Sequence, residues 1–169
     1  MGAKIITNAT KATTSRDGIV RLSVAPVDAQ APIAIADNDP RLTRVRGTGQ
    51  VTTGTLAASA TENASIALSR TTELLVIATD YPAWVRVYST AAARTADATR
   101  DITQDIEAGK GLQAEVITRT GALSIPMSPA PVVCNLDTPA TTTLYLAITN
   151  LDTVARAITA TFTHLKLED

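Results

Sequence analysis

Aromatic side chains are scarce in this chain: one Trp, one Phe and three Tyr make up 3% of its 169 residues. A core without them must be built from Val, Ile, Leu and Ala, each of which buries less apolar area. A thin core of that kind suits a protein that buries further surface against copies of itself or a partner. Cysteine is scarcer still. With Cys134 alone, an intrachain disulfide and a Cys-based metal cluster are excluded, and the thiol reads as a buried structural one. No charge of one sign accumulates either: the formal net charge is -1 and the pI about 5.8, so nothing draws in a phosphate backbone or an anionic membrane. No nucleic-acid partner is expected. No stretch reaches the roughly 18 apolar residues of a membrane span, and MGAKIITNATKATTSRDG lacks the apolar centre of a signal peptide. Membrane insertion is therefore not expected and synthesis in a cytoplasm is, so the Asn8-Ala9-Thr10 and Asn63-Ala64-Ser65 sequons carry no glycan.

Residues that carry chemistry are thin on the ground as well. An active site needs a nucleophile with a base, a carboxylate pair or converging metal ligands. His164 is the only histidine and reads as a solvated or edge residue. Asp37-Asn38-Asp39 has the opening of a calcium loop but neither its glycine nor its closing glutamate, which leaves an Asx-type turn ahead of Pro40. Asp97, Asp101 and Asp105 recur at every fourth position with Arg94 and Arg100 interleaved, the pattern of a solvated charged face. Gly109-Lys110-Gly111 has no phosphate-loop surroundings and is a hairpin turn. No catalytic residue, cofactor or metal is expected, and the chain reads as non-enzymatic.

What is present is β-pattern. From Ile66 onward, short β-favouring runs alternate with turn signals at the spacing of a sandwich or barrel. Leu74 to Thr79 is a central strand, broken by Asp80-Tyr81-Pro82, and Trp84 to Tyr88 resumes as its antiparallel neighbour. Val85 and Val87 share one face of that second strand; Trp84, Arg86 and Tyr88 share the other. Residues 89–108 form a surface loop with one short helix over 90–97. Strands follow at Leu112 to Thr118, Leu123 to Ile125 and Val132 to Asn135, the middle passage confined to an edge by Pro126, Pro129 and Pro131. Leu144 to Thr149 turns through a four-residue hairpin, Asn150 to Thr153, into Val154 to Leu167. In that last strand Ile158, Ala160 and Phe162 hold one parity and Leu165 and Leu167 the other, which demands a β-bulge near Thr163-His164 or burial of the last residues against another subunit.

Tyr81, Trp84 and Tyr88 allow two readings: a platform that stacks on sugar rings, or Trp84 filling the sandwich core. The first 60 residues differ in kind, since Ile19 to Val24 alternates like a strand but has no second strong strand beside it. The division expected is an extended attachment and oligomerisation segment over 1–50 and an antiparallel β-sandwich, jelly-roll-like or Ig-like, over 51–169.

The stretch Asp17-Gly18-Ile19-Val20-Arg21-Leu22-Ser23, continuing through Pro26 and Pro32-Ile33-Ala34-Ile35-Ala36 to Asp37-Asn38-Asp39-Pro40-Arg41-Leu42, resembles a segment recurrent in bacteriophage tail-fibre and related virion fibre proteins. There a DGxVRLSVAP start leads to a PIAxxDNDPRL finish. The family phrase continues with a DART-type motif where this chain has Thr43-Arg44-Val45-Arg46-Gly47. The resemblance implies a homotrimer on the virion surface, joined to other virion proteins of tail, baseplate or capsid, with the sandwich projecting and available to a host surface glycan. Ile19, Val20, Leu22 and Val24 would then pair between subunits, and Asp37, Asp39 and Arg41 would make charge-assisted contacts there. Two other roles compete: a capsid decoration or cement protein that clamps the shell, and a carbohydrate-binding module resting on Tyr81, Trp84 and Tyr88.

Overall fold

The computed structural model describes residues 46–168. Nine strands and one short helix run in the order β1 Arg46–Leu56, β2 Thr61–Ala67, β3 Thr71–Thr79, β4 Ala83–Tyr88, α1 Ala91–Ala96, β5 Leu112–Ile117, β6 Ser124–Pro126, β7 Val132–Cys134, β8 Thr143–Asn150 and β9 Arg156–Glu168. They form two antiparallel sheets, β1-β9-β3 with β6 and β7 both on β3, and β2-β8-β4-β5. The inner faces meet in one apolar core to which both sheets contribute: Leu74, Ile77, Ile158, Ala160 and Phe162 from the first, Ile66, Val85, Val87, Val116, Leu144, Leu146 and Ile148 from the second. This is a β-sandwich, as the alternation indicates. The attachment residues Ile19, Val20, Leu22, Val24, Asp37, Asp39 and Arg41 lie outside the described residues.

Several pairings differ from those the sequence suggests. β3 and β4 are not neighbours: Asp80-Tyr81-Pro82 carries the chain from one sheet to the other, where β4 lies between β8 and β5. Nor is Asn150 to Thr153 a hairpin, since β8 and β9 also belong to different sheets. Asn150, fully buried, holds that crossover. Its side-chain amide donates to the carbonyls of Leu56 and Val154, each at 2.9 Å, and its own carbonyl oxygen accepts from the Asp152 N–H at 2.8 Å. Two strands, β1 and β2, precede the first run that alternation reveals, and β1 begins at Arg46, inside the stretch expected to be extended.

β1 sends in only Val51 and Leu56 as apolar residues, because the inward positions before them lie too close to their neighbours to carry side chains. A Cβ on Gly49 would stand 2.4 Å from Leu68 Cδ2, and one on Gly47 would stand 3.0 Å from the His164 ring. Further along, Thr53 and Gly54 together oppose Ile158, a β-bulge. There the Thr53 hydroxyl accepts from the Ile158 N–H at 3.0 Å and donates to the Gly54 carbonyl at 2.8 Å, so the side chain replaces the lost ladder bond.

The parity conflict in β9 is resolved on its partner. Leu75 is the extra residue of β3, opposite Thr163 and His164, so β3 switches its buried set from Thr72 and Leu74 to Ile77 and Thr79. β9 itself keeps parity through His164, which is therefore buried rather than solvated or at an edge. Leu167 stays exposed. Cys134 is half-buried, and its Sγ accepts from Gln113 Nε2 at 3.4 Å.

Candidate functional site

The largest constellation of polar chemistry in the described residues lies on the outer face of the second sheet, beneath the excursion between β4 and β5. Alternation along β4 sends Val85 and Val87 into the core and turns Trp84, Arg86 and Tyr88 outward. The excursion folds back over that outward face. Thr90 caps α1 by accepting from the Ala93 N–H at 3.0 Å. At the other end, Gly111 sits at φ +69 with no room for a Cβ against Ala93 and Ser89, which lets the chain re-enter β5 beside the start of the helix.

Asp97, the residue that ends α1, is the hub. It is 4% exposed and accepts from Tyr88 Oη at 2.5 Å and from Arg100 Nε at 2.9 Å to each carboxylate oxygen. Arg100 continues to Glu115 of β5 at 2.8 Å, and Glu115 accepts from Trp84 Nε1 at 3.2 Å. The Trp84 ring meets two guanidinium groups, Arg86 at 3.8 Å and Arg100 at 4.9 Å from its centroid. Arg86 is itself buried, 4.0 Å from Asp97 and bonded to Thr149 Oγ1 at 3.3 Å; among the described residues its Nε and Nη1 have no hydrogen-bond partner. Alongside lies an open cleft of about 280 Å³ lined by residues including Asp97, Arg100, Gln104, Asp105, Glu107 and Lys110.

The electrostatics follow the geometry. Burial, then the hydrogen bond to Asp97, pushes the Tyr88 hydroxyl up to about 12. Burial works against the Arg100 cation, but the bonds to Glu115 and Asp97 outweigh it and hold its pKa above the ordinary value. A group whose pKa is raised on folding contributes stability that is complete below its unfolded value and is lost as pH climbs through the folded one. For Tyr88 that window runs from pH 10 to about 12. Ultraviolet titration of the folded protein should find Tyr88 ionising above the ordinary tyrosine range, and Tyr88→Phe should flatten part of the alkaline loss of stability.

A second polar cluster fixes the loop before β8. Asp137 accepts from Tyr145 Oη at 2.7 Å and from Asn135 Nδ2 at 2.9 Å. Those two bonds, the one from Tyr145 first, hold its carboxyl below the usual range.

The structure overturns the sugar-stacking platform. Trp84 and Tyr88 do share a face, but both are buried under the excursion, while Tyr81 lies half-buried beneath Arg156, 4.6 Å from its guanidinium. Trp84 does not fill the core either, because its parity places it on the outer face. Nor is Asp97 part of a solvated face; only Asp101 and Asp105 of that series are exposed. The residues missed by sequence reasoning are Arg86, Asp97, Arg100 and Glu115. Their signal was an arginine between two aromatics on one strand face and an Asp–Arg pair three apart. Among the described residues no group of three or more His, Cys, Asp or Glu is placed to hold a metal ion, and no helix is long and apolar enough to cross a membrane.

The fold and this cluster define the class: an all-β antiparallel sandwich with one outer face covered by its own chain. No family model matches the chain, and no curated protein matches it. Among solved structures, a chain from turnip yellow mosaic virus overlaps 89% of this chain and 93% of its own length at 14% identity, with a TM-score of 0.28.

Proposed function

We propose that this chain is a structural subunit of a bacteriophage virion, attached through its N-terminal segment and displaying the sandwich on the particle surface. One observation carries the reading. The fibre-like phrase ends at Leu42 and the first strand of the sandwich opens at Arg46, so attachment sequence and displayed domain follow one another along the chain without overlap. The sandwich is consistent with a mechanical role: its densest charge cluster is spent on clamping the 89–111 excursion to β4 and β5. With the aromatic platform buried, the weight moves from glycan capture to assembly and display.

The resemblance implies a trimer held by the N-terminal segment. Light scattering of dilute intact protein should give a threefold mass that is lost when residues 1–44 are removed, a cut that spares β1. Equal masses before and after truncation would defeat attachment through that segment and favour a decoration protein sitting on the capsid shell.

A further inference from the structure

The two long sides of the sandwich are finished differently. On one side the sheets are stitched together: Gln113 of β5 accepts from the Cys134 N–H of β7 at 3.0 Å, and the Leu136 N–H bonds the Ser89 carbonyl at 3.0 Å. Pro126, Pro129 and Pro131 remove donors along that margin. On the other side β1 and β2 are the terminal strands among the described residues, and β2 carries a carboxylate, Glu62, in its run. β1 has no charged residue and no proline from Gly47 to Leu56. Its β-bulge at Thr53 and Gly54 lies beyond Thr52, so Gly47 to Thr52 has neither the charge, the proline nor the bulge that usually guards an edge against pairing with another chain.

The ladder identifies which of its groups are free. The Thr159 carbonyl accepts from the Asp80 N–H at 3.2 Å, which directs its backbone away from β1. Alternation then turns Thr161 and Thr163 of β9 the same way, while Ala160 and Phe162 face β1. Thr52, Gln50 and Thr48 oppose Thr159, Thr161 and Thr163. Their own N–H and C=O groups therefore point outward, and among the described residues no strand meets them. Beyond Thr52 the run ends, because the Gly54 N–H is taken by Glu62 Oε2 at 3.0 Å. Arg46 bounds the other end. The free run is thus Thr48, Gln50 and Thr52, centred on Gln50.

We infer that β1 is a self-pairing edge: two copies join antiparallel about a two-fold axis at Gln50, with Thr48 of each opposite Thr52 of the other. About six backbone hydrogen bonds would form, two in each of the opposed pairs. A second copy fits this edge because an uncharged run meets itself with no like charges opposed, and Thr–Thr pairs are compatible across strands. The axis makes the contact isologous, so it closes at two copies. It is independent of how the N-terminal segment attaches.

Sedimentation equilibrium of the full chain over a range of concentrations tests this. Wild type should show a doubling of its basic unit, and Gln50→Lys should weaken that step roughly tenfold or more by opposing two cations at the axis. Gln50→Glu should weaken it too, and mixing the two variants should restore it, since opposite charges then face each other. Hydrogen exchange at the Thr48, Gln50 and Thr52 amides should slow as concentration rises. No doubling in wild type, unchanged doubling in Gln50→Lys, or no rescue on mixing overturns the inference. Slow exchange of those amides at every concentration would also overturn it, because the edge would then be covered within one chain. A threefold state that disappears only on removing residues 1–44 is a separate result, belonging to the attachment reading.

Discussion

Replacing Asp97 with alanine should cost about 3–5 kcal/mol of stability, as expected when one partner is removed from a buried ionic cluster. The carboxylate joins α1, β4 and β5 at once, through Tyr88, Arg100 and, at 4.0 Å, Arg86. Without it, the Tyr88 hydroxyl loses its acceptor and Arg86 is left as a buried cation beside the Trp84 ring and the Thr149 hydroxyl. Arg100 keeps Glu115 but loses its anchor to the helix end. Asp97→Asn separates charge from hydrogen bonding: it keeps an acceptor for Tyr88 and should cost roughly 1–3 kcal/mol. Urea denaturation of both variants, followed through Trp84 fluorescence, measures the difference. Equal, near-zero losses would mean that the excursion is not held by this cluster.

A loss of similar size is expected at the opposite layer. Phe162 is the only phenylalanine, is 1% exposed and pairs with Gly49 on one side and Ile77 on the other. Because Gly49 has no side chain and the rest of the core is aliphatic, few neighbours can collapse into the space its ring would vacate. Phe162→Ala should therefore fall at about 3–5 kcal/mol, the range of large-to-small substitutions that leave a cavity. Denaturation by urea and by guanidinium should shift the midpoint with little change in slope. A loss under about 1 kcal/mol would show that the core repacks around the gap.

How much of this was legible in the sequence depends on which signal each element uses. β3, β4, β5, β8 and β9 carry enough Val, Ile and Leu for alternation to reveal them, and α1 has a threonine cap and an alanine-rich body. β1 was invisible for a steric reason: its inward residues include Gly47 and Gly49, where neighbours leave no space, so Val51 and Leu56 alone are too few to show a period. β2 sends in only Ala64 and Ile66 as apolar residues. Partnership between strands is a further step that periodicity does not encode. The break at Asp80-Tyr81-Pro82 serves a crossover as well as it serves a hairpin.

The candidate cluster was half legible. Alternation placed Trp84, Arg86 and Tyr88 on one face, yet its burial depends on residues 89–111 returning over that face. Asp97 and Arg100 are charged, and charge in a polar stretch argues for solvent. Only the coincidence of Tyr88, Asp97, Arg100 and Glu115 from separate elements makes their burial affordable. The bulge between β3 and β9 was legible as a parity conflict but not as to strand, because either partner can supply the extra residue.

The pairing of β1 with β9 sets an order of events during synthesis. β9 lies between β1 and β3, so the first strand of the sandwich waits for the last before it has any neighbour in its own sheet. Contacts that close over such a separation form slowly. A chain made only as far as β8 already holds every strand of the second sheet, whereas in the first sheet β1 lacks the strand that pairs with it among the described residues. The first sheet thus cannot be completed before β9 is made, since β9 alone joins β1 to β3 among the described residues.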